Sequence, residues 1–228
     1  LPLTDLAPLA VMLPVLGAAV TFMLVRRPRA QITVTVSALV LTLVLDALLL
    51  AAVWDTGVAA VHLGGWPAPL GISLVVDRLS ALMLVVSALI TLAVLLYASA
   101  QGLINRDEGG PVSIFHPTFL ILVAGVSNAF LAGDLFNLYV GFEILLTSSY
   151  VLLTMGGTAQ RIRAGITYVV VSVLSSVVFL IAIAMIYAAT GTVNMADLAV
   201  KLGELPTDVQ MVLHVLLLVG FGIKAAVF

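Results

Sequence analysis

Two ionisable residues stand where such residues are expensive. Glu143 lies in the apolar stretch DLFNLYVGFEILLTSSYVLLT, Asp134 to Thr154, nine residues after Asp134. A straight helix carries it about 14 Å along the axis, close to the centre of a hydrocarbon core about 30 Å thick. An ionised side chain there costs on the order of 3 kcal/mol by insertion scales. Such a group needs a partner. The best one in the chain is Lys224, inside another apolar run and about 23 Å from that run's start near Val209. A Glu/Lys pair in a membrane has a logic for proton transfer. Together, each stabilises the other's charge; apart, desolvation disfavours both charged forms. A motion that opens the pair could therefore move the lysine's proton onto a water chain.

Other polar residues are placed to line such a path. Tyr139 and Thr147, at i−4 and i+4, share the face of Glu143 and make it polar. Ser172, Ser175 and Ser176 fall on one flank of the next apolar segment. They are candidate lining, although serines in spans more often serve helix packing. His214 precedes Lys224 by ten residues and so lies on another face; it is a further candidate whose simpler role is a local hydrogen bond. Gly220 and Gly222, just before Lys224, predict a break or bend whose freed backbone must be buried or wetted. Asp46 stands alone in the second apolar segment and is expected to be a packing or interface residue. No phosphate loop, metal-ligand spacing or nucleophile motif is found, and there is no Cys, so the expected metal and nucleophile sites are none.

The elements that must hold these residues are membrane spans. The 228 residues are 63% hydrophobic and 9% charged, with a mean hydropathy of +1.28. Too few charges are available to cover a water-facing surface, where about a quarter is usual. The formal net charge of −2 argues against a nucleic-acid partner or a polybasic lipid-binding tail. Seven apolar segments emerge, at about 6–25, 32–53, 79–98, 112–131, 134–154, 164–189 and 209–228. The fold expected is thus an all-α polytopic membrane protein, with residues 1–228 forming one transmembrane domain.

Between the second and third spans, the β-branched stretches Val58 to Leu63 and Ile72 to Val76 flank a Gly/Pro-rich turn and predict a small external hairpin. Pro117 is tolerable in the first turns of the fourth span, and Asp134 is well placed to cap the fifth. Placing the first connection inside puts Arg26, Arg27, Arg29, Arg106, Arg161 and Arg163 on the cytoplasmic side, against Arg78 and Lys201 outside. The positive-inside rule then sets the N-terminus outside, in a multi-pass protein of the cell membrane. The first residue is Leu and the last, Phe228, falls within an apolar run, so the chain is expected to be the front part of a longer protein.

At these same residues the sequence resembles a known family. The run GDLFNLYVGFEILLTSSYVLLTMGG (Gly133 to Gly157), then ATGTVNMADLA (Ala189 to Ala199) and GFGIKAAVF (Gly220 to Phe228), is similar to the D subunit of Mrp-type multisubunit Na+/H+ antiporters. So is LGISLVVDRLSALM (Leu70 to Met83). That family is grouped with the antiporter-like membrane subunits of respiratory complex I. The resemblance implies a bundle of about fourteen spans containing two inverted five-helix repeats, the first beginning near the fourth span. It implies that Glu143 matches the glutamate of the fifth span and Lys224 the lysine of a broken seventh span, an ion pair that gates proton movement. No organic cofactor is implied. The implied partners are other subunits of a hetero-oligomer, the bilayer, H+ and Na+. Gly141 departs from the pattern, since a bulkier residue is expected there, and the second repeat with its lysine sites is absent.

The function expected is a proton-translocating subunit of a cation/proton antiporter, a secondary transporter rather than an enzyme. A close alternative is the homologous proton-pumping subunit of a redox-driven complex or membrane hydrogenase. A non-transporting assembly subunit, with the pair locking helices together, is a third. A retinal-type photoreceptor would share seven spans and a lysine in the last, but the third span has no carboxylate counter-ion.

Overall fold

Backbone pairing at the hairpin side ties three connections of the bundle together. The computed structural model describes residues 2–101 and 114–225. Arg106, Asp107 and Glu108, the expected start of the fourth span at Val112, and Phe228 lie outside the described residues. The helices are α1 (Ala7–Met23), α2 (Pro28–Thr56), α3 (Arg78–Ala100), α4 (Phe115–Leu131), α5 (Leu135–Thr154), α6 (Ala159–Thr190), α7 (Met195–Lys201) and α8 (Thr207–Lys224). A short 3-10 turn, Leu3–Leu6, leads into α1. All of these except α4 and α7 are long and apolar enough to cross a membrane (α1 counted with that turn), and the 17-residue α4 is a shorter apolar helix. The protein is a mostly helical, multi-pass membrane protein.

Local chemistry sets the helix ends. Asp77 and Ser80 form a reciprocal capping box at the start of α3, satisfying two of its free N–H groups. Asp134 caps α5 by accepting from the Asn137 N–H at 2.7 Å, as its position predicts. Thr158 caps α6, which ends at Gly191 with a left-handed φ of 72°. α8 is continuous through Gly220 and Gly222 and ends at Lys224. The expected break before the lysine is therefore not observed. Gly220 instead lets α8 approach α6, where an added Cβ would lie 3.3 Å from the Phe179 side chain.

Strands β1 (Ala59–His62) and β2 (Ser73–Val76) pair antiparallel, with Ala59 opposite Val76 and His62 opposite Ser73. β2 then latches onto the α4–α5 link. Gly133 N–H donates to Ser73 O at 2.8 Å, and an added Cβ at Gly133 would lie 2.7 Å from that oxygen. The same link holds the α6–α7 connection, through Leu135 N–H to Val193 O at 2.9 Å and Met195 N–H to Gly133 O at 3.0 Å. Three connections are thereby stitched together at one end of the bundle, which fixes the start of α5 against the start of α7. On α7 the Lys201 ammonium, 3.0 Å from Asp197, holds that carboxyl below the usual carboxylate range, chiefly by its hydrogen bond. A depressed carboxyl stabilises above its unfolded value, so this contact is lost as pH falls through the folded one.

Packing divides the bundle in two. α1 to α4, with β2, enclose two apolar clusters, one around Leu49, Leu84 and Leu131 and the other around Leu39, Leu95 and Leu120. α5, α6, α7 and α8 enclose a third around Phe179, Ile183, Ile186 and Leu213. The α4–α5 seam joins the two halves by close backbone approach. An added Cβ at Gly125 would lie 2.9 Å from Leu145 N, and one at Gly141 would lie 3.1 Å from Ala129 N. Small residues of this kind let spans pack without a hydrophobic driving force. This accounts for Gly141: the position faces α4, where a Cβ would lie 3.1 Å from both the Ala129 N and the Asn128 amide nitrogen, so any larger residue must push α4 away.

Candidate functional site

Glu143 is the ninth residue of the 20-residue α5, so it sits near mid-span. Opposite it, α6 presents Ser176, and α8 ends on Lys224. Lys224 Nζ lies 3.8 Å from Glu143 Oε1. Between them stands Ser176, whose hydroxyl donates to Glu143 Oε1 and accepts from Lys224 Nζ at 3.1 Å. The result is a continuous chain of hydrogen bonds from ammonium to hydroxyl to carboxylate. Charge-assisted bonds of this kind are among the stronger ones in proteins.

The surroundings treat the two charges differently. The Lys224 side chain is only 7% exposed and the Glu143 side chain 37%. Lys224 gains from two further features. Its ammonium lies 5.1 Å from the centre of the Phe142 ring, within the range of cation–π attraction. It also occupies the last turn of α8, where the helix dipole favours a cation. Phe142 belongs to an aromatic cluster centred on the fully buried Phe179, with ring centroids 6.1 Å from Phe142, 4.9 Å from Phe221 and 6.3 Å from Tyr139. These rings pack against the Lys224 side of the pair.

The candidate lining residues divide. Ser176 joins the pair directly. Ser175 Oγ donates to the Gly220 carbonyl at 3.3 Å, tying α6 to α8 one turn before Lys224. Tyr139 shares the Glu143 face and packs near Phe179. Ser172 is half-buried one turn before Ser176. Thr147 is exposed, one turn beyond Glu143. His214 is left out, since its Nδ1 lies 2.7 Å from Gln210 O and the residue is exposed. Asp46, expected at a packing or interface position, is 1% exposed within the α1–α4 half. Sequence reasoning missed Phe142, although its place next to Glu143 was a signal, and the buried Phe179, whose role needs the fold.

The Ser176 bridge yields a first prediction. Ser176→Ala leaves the 3.8 Å charge pair but removes the hydroxyl that both charges share, so the Glu143 carboxylate stretch shifts while the protein still folds. Infrared spectroscopy checks this, and an unshifted band would make the hydroxyl a packing feature only.

Known proteins share this arrangement of sequence. Residues 132–228 match the transmembrane family described as NADH:quinone oxidoreductase/Mrp antiporter. Over 99% of its length the chain is 36% identical to the D subunit of the Na+/H+ antiporter of Alkalihalophilus pseudofirmus, of which it covers 45%. Along nearly its whole length the chain is therefore similar to antiporter D subunits. The Mrp complex from a Dietzia species holds a chain that superposes on this one with a TM-score of 0.89 and 32% identity, covering 99% of this chain and 42% of that one. A chain of the membrane-bound sulfane sulfur reductase, an archaeal respiratory membrane complex, gives a TM-score of 0.86 at 28% identity, with coverages of 96% and 44%. The chain thus spans less than half the length of these relatives. The family match begins at the α4–α5 link and takes in Glu143, Ser176 and Lys224.

Proposed function

We propose that this chain is part of a proton-translocating membrane subunit of a multisubunit cation/proton antiporter. It works in the cell membrane with its N-terminus outside and with Na+ as the exchanged cation. The observation that carries the reading is the mid-membrane chain Lys224–Ser176–Glu143, in a sequence similar throughout to antiporter D subunits. As Lys224 Nζ releases a proton to Ser176 Oγ, the hydroxyl proton passes to Glu143 Oε1. The two charges are neutralised together, leaving neutral amine and neutral acid. Neither neutral group then holds the other as tightly, so α5 and α8 can separate and Glu143, the more exposed partner, can pass its proton onward. Reprotonation of Lys224 resets the pair. The transported cation need not enter this site, because the coupling is between proton position and helix spacing.

A second reading is favoured by the likeness to the chain of the respiratory sulfane sulfur reductase, nearly as close in fold as that to the Mrp chain. In that reading the same pair serves a redox-driven proton pump. The test uses the full-length protein in its complete assembly, in inverted vesicles of an antiporter-deficient host. Na+ added without an electron donor collapses an imposed ΔpH if the chain serves an antiporter. ΔpH that responds to an electron donor and not to Na+ would assign the pump instead.

A further inference from the structure

Asp46 is a carboxylate that the antiporter reading does not use. It lies on α2 about 15 Å from the hairpin-side end of that helix, it is 1% exposed, and neither carboxylate oxygen has a hydrogen-bond partner among the described residues. A buried, unpaired charge of this kind is too costly to persist, and such a group neutralises instead. No cation from another chain can reach it without unpacking α2, because this chain's own residues already enclose it. The helices packed around it offer none. α1 has no titratable side chain, α3 has Arg78 and Tyr97 near its two ends, and α4 has His116. Asp5, in the turn packed against α2, and Asp55, in its last turn, are exposed. Among the described residues no group of three or more carboxylates and imidazoles forms a metal-ion cluster.

Asp46 is also the inner end of a buried polar stripe. Gln31, Thr35 and Thr42 lie with it on one face of α2 and are all at most 1% exposed, at helical spacings of four, seven and four residues. Gln31 donates to Thr21 O at 2.9 Å. Thr35 Oγ1 lies 3.1 Å from His116 Nδ1, and His116 is itself 2% exposed. The stripe begins beside the α1–α2 turn, where Arg26, Arg27 and Arg29 are exposed. Thr35 Oγ1 donates to Gln31 O at 2.8 Å and Thr42 Oγ1 to Ala38 O at 2.9 Å, so both hydroxyls are held by their own helix.

We propose that Asp46 is a second intramembrane proton-binding site, separate from the Glu143–Lys224 pair and supplied along the Gln31–Thr35/His116–Thr42 stripe from the basic end of the bundle. The ligand is a proton: water at the basic end gives it up, and a carboxylate oxygen of Asp46 gains the O–H bond. Water crosses the two-turn interval between Thr35 and Thr42, about 10 Å along the helix.

Infrared difference spectroscopy on the full-length protein in its complete, lipid-reconstituted assembly tests this at neutral pH. The wild type is expected to show a protonated-carboxyl C=O band that Asp46→Asn removes and Glu143→Gln leaves in place. Asp46→Glu, which keeps the acid, should shift the band, and this covers the case in which the amide blocks assembly. Transfer to D2O should move the wild-type band within seconds, and Thr35→Val with Thr42→Val should slow that movement at least tenfold. A band that no Asp46 variant alters, or one that D2O leaves unmoved for hours, overturns the proposal. A band lost in Glu143→Gln assigns the proton to the pair and also overturns it.

Discussion

Glu143→Gln and Lys224→Ala should each abolish Na+-driven ΔpH collapse, with at least about a tenfold loss per assembled complex. The reasons differ, so the two variants should not behave alike. Glu143→Gln keeps the shape of the side chain and an acceptor for the Ser176 hydroxyl, but the amide cannot take the proton that the chain Lys224–Ser176–Glu143 delivers. Assembly should survive. Lys224→Ala removes the cation and leaves Glu143 facing Ser176 and the aromatic cluster without a counter-charge. Removing one partner of a buried pair costs about 3–5 kcal/mol. The lower end applies here, because Glu143 remains 37% exposed and solvent screens it. Lys224→Ala should therefore lose assembled protein as well as exchange. The double variant Glu143→Gln/Lys224→Ala, with no charge left to strand, should recover assembly and still not transport. Wild-type exchange in Glu143→Gln would sink the proton role and leave the pair as helix-to-helix glue.

Gly125→Leu should have the largest effect on stability. Its Cβ would meet the Leu145 N at 2.9 Å and the Gly141 O at 3.2 Å, both backbone atoms of α5, which no rotamer change can move aside. Overpacking of this kind costs roughly 1–3 kcal/mol and occasionally more, and here the strain falls on the seam joining the two halves of the bundle. The same seam holds the Asn128 side-chain amide against Asn137 at 3.2 Å, so its loss would also strip a buried hydrogen bond. Native-gel quantitation of the assembled complex should show a loss of at least about tenfold, since about 1.4 kcal/mol corresponds to a factor of ten. Gly125→Ala, with a single methyl in the same place, should lose less. Assembly of Gly125→Leu at the wild-type level would mean that α4 and α5 can part at this point without consequence.

Some of this protein could be read from one dimension. Hydropathy gave the spans because a bilayer imposes one length and one polarity on every segment that crosses it. Asp134 could be read as a cap, since an N-cap needs only its own side chain and the N–H groups of the next turn. Glu143 and Lys224 stood out as candidates because charge in apolar sequence is rare whatever the fold.

What only the tertiary structure decided are the relations between helices. Nothing in the spacing of Glu143, Ser176 and Lys224 on three separate helices says that a hydroxyl stands between the two charges. That depends on how α5, α6 and α8 pack: backbone pairing at Gly133, Leu135 and Met195 ties the start of α5 to the hairpin and the α6–α7 connection, and Ser175 ties α6 to α8 at Gly220. Gly141 looked like a departure beside the glutamate and proved to face α4, on the other side of its helix. Gly220 and Gly222 suggested a broken helix, but helix propensity is a weak local prior that packing overrides, and Gly220 serves the contact with Phe179. Asp46 is expected to be a packing or interface residue, and its burial without a hydrogen-bond partner depends on three neighbouring helices. Each of these outcomes rests on which face of a helix meets which neighbour, and sequence periodicity fixes the face while leaving the neighbour open.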